Sequence, residues 1–206
     1  WEKTFAICWY GVYYCSRAFM PYLVASEEGH VINTSSVNGF WASLGGMPHT
    51  AYSAAKFAVK GFTEALIQDF RANAPHVKAS VVMPGHIGTS IAINSGKILG
   101  HVDALNLPDE EVEKIKELWI SLGAPVHNQS NDQIREALKE RRESFKSDAP
   151  TSAAQAAEII LNGVKEEKWR ILVGDDAHNL DKRVRENPEK AYDPDFVSPF
   201  SDLEEA

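Results

Sequence analysis

The stretch HVINTSSVNG, residues 30–39, decides the fold of this 206-residue chain. A short run of β-branched residues ends abruptly in small polar residues and glycine, which predicts a buried strand that opens into a loop. The stretch VKASVVMPGHIGT, residues 77–89, predicts a second strand, broken by Pro84 and Gly85. Ligands of open α/β sheets bind beyond the carboxyl ends of the strands, so these two loops are the first candidates for a site.

The stretch YSAAK, residues 52–56, lies between the two strands in a segment with helical apolar periodicity. On a helix, Tyr52 and Lys56 share one face because they are four residues apart. A positive charge beside a phenol favours the phenolate and lowers its pKa below the ordinary value of about 10. A tyrosine of this kind can give a proton to a carbonyl oxygen or take one from an alcohol.

Together these segments resemble the signature of the short-chain dehydrogenase/reductase family, in its compact single-domain branch. The family pattern of Asn-x-Ser-Ser, Tyr-x-x-x-Lys and Pro-Gly-x-x-x-Thr occurs here in that order, at residues 33–36, 52–56 and 84–89. The match is clear from residue 1 to about 90 and weaker over 151–175. The resemblance implies an α/β fold with a Rossmann-like, doubly wound parallel sheet. It also implies an oxidoreductase that interconverts a secondary alcohol and a ketone by hydride transfer with NAD or NADP.

The resemblance implies roles for individual residues as well. Tyr52 would be the general acid/base, Lys56 would lower its pKa and hold the nicotinamide ribose, and Ser36 would hydrogen-bond the substrate oxygen. Ser35 is interpreted as capping its loop. The implied cofactor-binding set comprises Tyr52, Lys56, Pro84, Gly85, Ile87 and Thr89, with Ile87 acting through its backbone. A plain turn and a helix cap are the alternatives for Ile87 and Thr89.

Two histidines lie close in sequence to the predicted site. His49 and His86 are expected to line the substrate pocket, and the alternative for each is an ordinary surface residue. No His or Cys spacing in the sequence is typical of a metal site. We therefore predict substrate contacts from Ser36, His49 and His86, and no metal.

Two departures from the family pattern bear on activity. Cys8, in CWYG at residues 8–11, stands where the family has the Asn of Asn-x-x-Gly, and a thiol is a poor hydrogen-bonding group beside a carboxamide. This predicts a weakened proton relay behind Lys56; the alternative is a small buried apolar residue. No Gly-x-x-x-Gly-x-Gly lies between a strand and a helix, so we expect the chain to be the C-terminal portion of a longer enzyme, without its cofactor half.

The expected organisation is one incomplete Rossmann-fold domain over residues 1–175, followed by a polar C-terminal tail over 176–206. Residues 90–149 form an insertion long enough to be a helical substrate lid, which favours a bulky hydrophobic substrate. Two lid helices are predicted, beginning near Pro108 and at Asn131. Plain packing or a subunit contact is the alternative for the lid. The tail is expected to be loosely ordered or to wrap a neighbouring subunit.

Composition argues against several other classes of protein. A net charge of −8 disfavours nucleic acid or an anionic membrane as the partner. The apolar run over residues 5–15 is too short to span a bilayer. Two cysteines are too few for a disulfide framework, which favours a reduced, cytoplasmic setting. The family resemblance further implies a homodimer or homotetramer, built through the helix from Trp1 and the helix after Thr50.

Two other functions stay open from the sequence. Nucleotide-sugar epimerases and dehydratases also use Tyr-x-x-x-Lys, although the serine pair and the Pro-Gly turn disfavour them. A non-catalytic, truncated or degenerate family member that acts as a subunit or binding partner is favoured by Cys8 and by the absent glycine turn.

Overall fold

The computed structural model describes residues 1–42, 49–121, 123–193 and 196, and the chain divides into two compact units. The first unit comprises Trp1–Ile87 and Pro150–Ala206, and the second comprises Gly88–Ala149. The bounds of the second unit are close to those of the insertion expected over 90–149.

The α-helices of the described residues are α1 (Glu2–Phe5), α2 (Gly11–Ala25), α3 (Thr50–Asn73), α4 (Ile91–Leu99), α5 (Asp109–Ser121), α6 (Asn131–Ser147), α7 (Ala153–Lys165) and α8 (Asp175–Glu186). The strands are β1 (Gly29–Thr34), β2 (Val77–Pro84), β3 (Ile87–Gly88), β4 (Thr151–Ser152) and β5 (Arg170–Val173). A π turn over Ala6–Tyr10 joins α1 to α2 without a break in the helical path. Within the described ranges, the helices are all too short or too polar to cross a bilayer.

The central sheet is parallel, with β2 between β1 and β5. β2 is buried along most of its length, as expected of a strand that is covered on both faces. One face, including Val31 and Ala79, packs against Phe70 of α3. The other face, including Val82 and Ile171, packs against α7. The predicted α/β class, with a parallel sheet between helices, is confirmed.

A buried polar chain fixes β1 against its neighbouring helices. Asn33 donates from Nδ2 to Thr63 Oγ1 at 3.0 Å and accepts a hydrogen bond from Ser16 Oγ at 3.4 Å. Thr63 donates in turn to the carbonyl oxygen of Val59 at 2.7 Å. Buried polar groups that have hydrogen-bond partners avoid most of the desolvation cost. These hydrogen bonds therefore orient the end of β1 without destabilising the core.

The second unit has a hydrophobic core of its own. Val112 and Ile134 are fully buried, and Trp119 packs against them. The sequence predicts two helices in this segment, whereas α4, α5 and α6 all occur there. α4 was not predicted because it is short and the side chain of its N-cap residue, Ser90, makes no capping hydrogen bond. Its one clear signal is Gly100, which ends the helix in a left-handed conformation with φ 81°.

α8 occupies the beginning of the segment that was expected to be a polar tail. Ala177 and Leu180 are fully buried and pack against Val37, in the loop after β1. Few apolar residues are needed to seat this otherwise charged helix, because Ala177, Leu180 and Val184 recur on one helical face. The expected tail is therefore wrong for residues 176–186.

A buried carboxylate ties α8 to β5. Asp181, only 9% exposed, accepts hydrogen bonds from both guanidinium arms of Arg170 and from Arg185 Nε at 2.9 Å. Burial by itself raises the pKa of Asp181, but the hydrogen bonds from the two arginines outweigh burial and the pKa is lowered. The ionised carboxylate makes α8 a fixed part of the first unit.

Candidate active site

Ser36 is the first member of the site, directly after β1. Its backbone is extended and its Oγ accepts a hydrogen bond from the backbone N–H of Asn38 at 3.2 Å, which caps a 3₁₀ turn over Val37–Gly39. The Ser36 hydroxyl also interacts with the phenol of Tyr52 by a hydrogen bond that favours the phenolate. The turn therefore fixes the position of Ser36 beside Tyr52.

Ser35, by contrast, has a structural role. It is buried, its Oγ donates to the carbonyl oxygen of Lys56 at 2.7 Å, and its backbone N–H donates to the carbonyl oxygen of Val82 at 2.8 Å. These bonds join the end of β1 to α3 and to β2, rather than capping the loop of Ser35 itself. Gly39 packs against this junction, where a Cβ would collide with Ser35 Oγ and meet the Lys56 carbonyl oxygen at 2.9 Å.

Tyr52 and Lys56 lie on one face of α3, as their spacing predicts. The Lys56 ammonium is 5.5 Å from the centroid of the Tyr52 ring. Its Nζ donates to the carbonyl oxygen of Thr34, the last residue of β1, at 3.0 Å. The two side chains and Ser36 therefore converge at the carboxyl end of β1.

The pKa values of the pair differ from the expectation. Burial raises the pKa of Tyr52 above its ordinary value, although the Ser36 hydrogen bond acts in the opposite direction. Burial likewise lowers the pKa of Lys56. The expected net lowering of the Tyr52 pKa by Lys56 is therefore wrong for this structure, because removing both groups from water disfavours each charged form. Tyr52 is a phenol, not a phenolate, at neutral pH.

Cys8 lies near both Tyr52 and Lys56. It belongs to the π turn between α1 and α2 and is half-buried, and its sulfur is close enough to act electrostatically on both Tyr52 and Lys56. A negative charge on this thiol would raise the pKa of each. Single π turns inside α-helices often occur at functional sites, because the extra residue re-aims a side chain.

The Pro-Gly turn lies at the carboxyl end of β2, the strand beside β1, and places backbone N–H and C=O groups there. The Gly85 N–H donates to the carbonyl oxygen of Val173 at 3.0 Å, and the His86 N–H donates to Asp176 Oδ2 at 2.6 Å. The side chain of Ile87 packs into the core beside Val82, which leaves its backbone as the part that can meet a ligand.

The other predicted residues are less closely tied to this cluster. Thr89 belongs to the second unit, where its Oγ1 accepts a hydrogen bond from the Ile91 N–H at 3.4 Å, as in the helix-cap alternative. His49 is exposed at the beginning of α3, and its carbonyl oxygen accepts from the Ser53 N–H at 2.8 Å. The His86 side chain is half-buried.

Sequence reasoning did not single out Asn38 or Asp176. Asn38 is fully buried, donates to Ser53 Oγ at 3.2 Å, and leaves its Oδ1 without a partner among the described residues. It stands two residues after Ser36 in the stretch that decides the fold, which was a usable signal. Asp176 follows a strand and a glycine, where an acidic residue usually indicates only the beginning of a helix. No group of three metal-binding side chains occurs in the part of the chain that the structure describes.

This arrangement can transfer a proton to or from an oxygen atom held beside Ser36. The Tyr52 phenol, the Ser36 hydroxyl and the Lys56 ammonium lie together at the edge of a parallel sheet. The backbone N–H and C=O groups of the Pro-Gly turn lie at the next strand end, where the ligands of such sheets bind.

Comparisons of the sequence with known proteins point to one family. The family model for short chain dehydrogenases matches residues 1–98, which contain all three motifs. The protein named as an oxidoreductase, SadH, of Mycobacterium tuberculosis is 32% identical over 184 residues, which are 89% of this chain and 53% of SadH. The 3-ketodihydrosphingosine reductase of Bacteroides thetaiotaomicron is 36% identical over 86 residues, 41% of this chain and 30% of that protein. The chain thus spans about half the length of SadH.

Solved structures share the fold. A short chain dehydrogenase/reductase from Burkholderia phymatum, in complex with NAD, superposes with a TM-score of 0.62 at 23% identity, over 92% of this chain and 58% of that one. A short chain dehydrogenase from Burkholderia cenocepacia, in complex with NADP, gives a TM-score of 0.57 at 15% identity, over 95% of this chain and 58% of that one. Motif order, the family model, the curated relatives and the shared fold agree, and the chain belongs to the short-chain dehydrogenase/reductase family.

Proposed function

We propose that this protein is an NAD- or NADP-dependent oxidoreductase that interconverts a secondary alcohol and a ketone, with Tyr52 as the general acid/base. The observation that carries the proposal is the cluster at the end of β1. The Ser36 hydroxyl, whose position the Asn38 N–H fixes, interacts with the phenol of Tyr52, and Lys56 lies beside them. Each of these groups has a distinct use in moving one proton to or from a substrate oxygen.

The residues present fit the nicotinamide end of such a cofactor. Lys56 uses one N–H donor on Thr34 and has two more, which suit ribose hydroxyls. The backbone of Ile87 suits a carboxamide, which both donates and accepts hydrogen bonds. Tyr52, Lys56, Pro84, Gly85, Ile87 and Thr89 would hold this end. When bound, the nicotinamide supplies or accepts the hydride.

The neutral form of Tyr52 suits the proton transfer that the reduction of a ketone requires. Because burial keeps the pKa of Tyr52 raised, the phenol is protonated and can give its proton to a carbonyl oxygen. Ser36 would hold that oxygen by a hydrogen bond that strengthens as negative charge develops on it. The phenolate that remains would be stabilised by the positive charge of Lys56. In the alcohol direction the same groups act in reverse, with Tyr52 as the base.

The second unit is proposed as a lid that favours bulky hydrophobic substrates. Its short helix α4 carries Ile91 and Ile98, which are 54% and 56% exposed. Large apolar side chains that are exposed together on one element are typical of surfaces that bind apolar groups. His49 and His86 are kept as proposed substrate contacts because each lies within a few residues of a proposed catalytic or cofactor-binding group.

The test is an assay of the full natural protein with NADH or NADPH and a panel of ketones of increasing apolar size. The readout is the loss of absorbance of the reduced nicotinamide. Turnover that rises with apolar size supports the proposal and the lid. Turnover of a nucleotide sugar instead would favour an epimerase or dehydratase. Absence of nucleotide binding in a folded, oligomeric protein would favour the non-catalytic alternative.

Replacing Cys8 with Asn is expected to raise kcat. An amide can both donate and accept hydrogen bonds beside Lys56, whereas a thiol does both poorly, so a stronger relay should raise turnover several-fold, roughly the effect of one hydrogen bond. Cys15→Asn, an exposed cysteine on the same helix, is the matched control and should leave kcat unchanged. A lower kcat for Cys8→Asn alone would mean that the thiol itself is used.

We also propose a homodimer or homotetramer in a cytoplasmic setting, without nucleic acid. Exposed aromatic residues lie along α2, with Tyr14 at 59%, Phe19 at 63% and Tyr22 at 74% exposure. Both cysteines are free thiols, as suits a reducing compartment.

Replacing Phe19 and Tyr22 together with Glu is expected to shift the oligomer towards monomer in analytical ultracentrifugation. Charges placed on an apolar interface must be desolvated without partners, which is costly. An unchanged sedimentation coefficient, or a wild-type protein that is already monomeric, would exclude this face as the interface.

A further inference from the structure

Asp176, in the first turn of α8, reaches across to the Pro-Gly turn after β2. Its Oδ2 accepts a hydrogen bond from the backbone N–H of His86 at 2.6 Å, although the two residues are 90 apart in sequence. Hydrogen bonds from an N–H to an ionised carboxylate are about twice as strong as neutral ones. The turn that the family comparison assigns to the cofactor is therefore held by a charged group from a different element.

Two glycines leave room for this carboxylate. A Cβ at Gly85 would collide with the carboxylate of Asp176, and a Cβ at Gly174 would collide with its Oδ1. Gly174 also has φ 98°, a conformation that favours glycine. The ends of β2 and β5 thus each place a residue without a side chain against the same carboxylate.

The carboxylate is otherwise sparsely engaged. Oδ1 of Asp176 is buried and has no hydrogen-bond partner among the described residues. The His86 N–H is therefore the contact that orients the group, and the N-terminus of α8 provides a favourable field for its charge. A buried acceptor atom without a hydrogen-bond partner is unusual in a folded protein and calls for a role beyond ordinary packing.

α8 also supports the other loop of the site. Ala177 and Leu180, one and four residues after Asp176, pack against Val37, which follows Ser36 directly. The same rigid helix therefore contacts the loop that carries Ser36 and the turn over Gly85–Ile87. The distance between these two loops depends on how α8 is seated.

We propose that Asp176 is a positioning residue, which holds the backbone over Gly85–Ile87 in the shape that receives the nicotinamide carboxamide. The inference rests on the proposed function and adds to it a residue outside the three family motifs. Asp176 does not touch the reacting atoms in this scheme. It acts through the His86 N–H.

The test compares three variants of the full natural protein. Asp176→Ala removes the acceptor, and Asp176→Asn keeps an acceptor oxygen without the charge. Asp175→Ala, an exposed residue in the same helical turn, removes the same charge from the same helix terminus and is the matched control. Amide hydrogen exchange over residues 84–89 is measured without nucleotide, and KM for the nucleotide and kcat are measured separately.

We expect Asp176→Ala to raise exchange over 84–89 and KM for the nucleotide by about tenfold each, the size of one charge-assisted hydrogen bond. Exchange over the preceding strand, β2, should stay slow. For Asp176→Asn, both the exchange rate and KM should stay close to those of wild type. Asp175→Ala should change neither quantity.

Faster exchange with an unchanged KM would overturn the inference and leave the proposed function intact. Equal effects in Asp175→Ala would also overturn it, because the charge at the helix terminus would then be the cause. Failure of wild-type protein to bind nucleotide would overturn the proposed function, and the inference with it, before any variant is compared.

Discussion

Tyr52→Phe is expected to lower kcat by about 10²–10⁴-fold, the contribution usual for a positioned general acid/base. The change removes one hydroxyl and leaves the ring, so the packing of α3 against its neighbours is kept. Ser36 would still hold the substrate oxygen, but no group within reach would donate the proton. Tyr10→Phe, the same change at an exposed position, is the control and should leave kcat unchanged.

The pH dependence of kcat distinguishes a role of Tyr52 in proton transfer from a structural change caused by Tyr52→Phe. The pKa of Tyr52 is raised, so oxidation of the alcohol, which needs the phenolate, should keep rising as the pH increases past neutrality. Reduction of the ketone needs the phenol and should stay flat through neutral pH, because the group is already protonated there. In Tyr52→Phe the residual oxidation rate should lose this rise. A variant with wild-type kcat, or one that keeps the rise, would remove Tyr52 from the proposed mechanism.

Gly39→Ala is expected to destabilise the protein by about 1–3 kcal/mol, the cost usual for an extra methyl group in a packed site. The added carbon would meet Ser35 Oγ and the Lys56 carbonyl oxygen, and a backbone oxygen cannot move aside as a flexible side chain can. Because Ser35 and Lys56 join β1 to α3, any adjustment displaces Ser36 relative to Tyr52. We therefore expect a fall in kcat together with a fall in the free energy of unfolding, measured by urea denaturation.

The control for Gly39 lies in α3. Apart from the adjoining backbone of α3, no atom of the described residues lies within 4 Å of the position of a Cβ at Gly61, so Gly61→Ala meets open space. Alanine in a helix interior is favoured over glycine by about 0.5–1 kcal/mol, and this variant should be slightly more stable than wild type. If both variants were equally stable, the packing account of Gly39 would be wrong.

The sequence predicts the elements whose signals are local. β1 and β2 occur where residues 30–39 and 77–89 predict strands, because their apolar runs end at glycine, proline or polar residues, and α3 carries Tyr52 and Lys56 as expected. The beginning of α7 was also predictable, since Ser152 and Gln155 form the capping box that their spacing indicates. In the site, the convergence of Ser36, Tyr52 and Lys56 follows from two short motifs, at residues 33–36 and 52–56.

What the sequence did not predict depends on burial and on distant contacts. The direction of the Tyr52 pKa shift is set by desolvation, which no local pattern reports, and the rule of a neighbouring positive charge gave the opposite sign. α8 was not predicted because few apolar residues seat it, and the residues that it packs against lie far away along the chain. Asp176 was missed for the same reason, since nothing near it in sequence indicates a bond to His86.

The distance in sequence between the two sides of the site has a consequence for protein synthesis. The indole N–H of Trp41 donates to the carbonyl oxygen of Ala191 at 2.7 Å, across 150 residues. A ribosome that adds about 5–20 residues per second needs on the order of 10–30 s to reach Ala191 after Trp41 has been made. Throughout that interval the loop after Ser36 has no α8 to pack against, and an aromatic side chain destined for the core is open to solvent. A nascent chain at this stage should be a substrate for chaperones that bind exposed aromatic segments, and slowing translation downstream of Trp41 should lengthen their engagement.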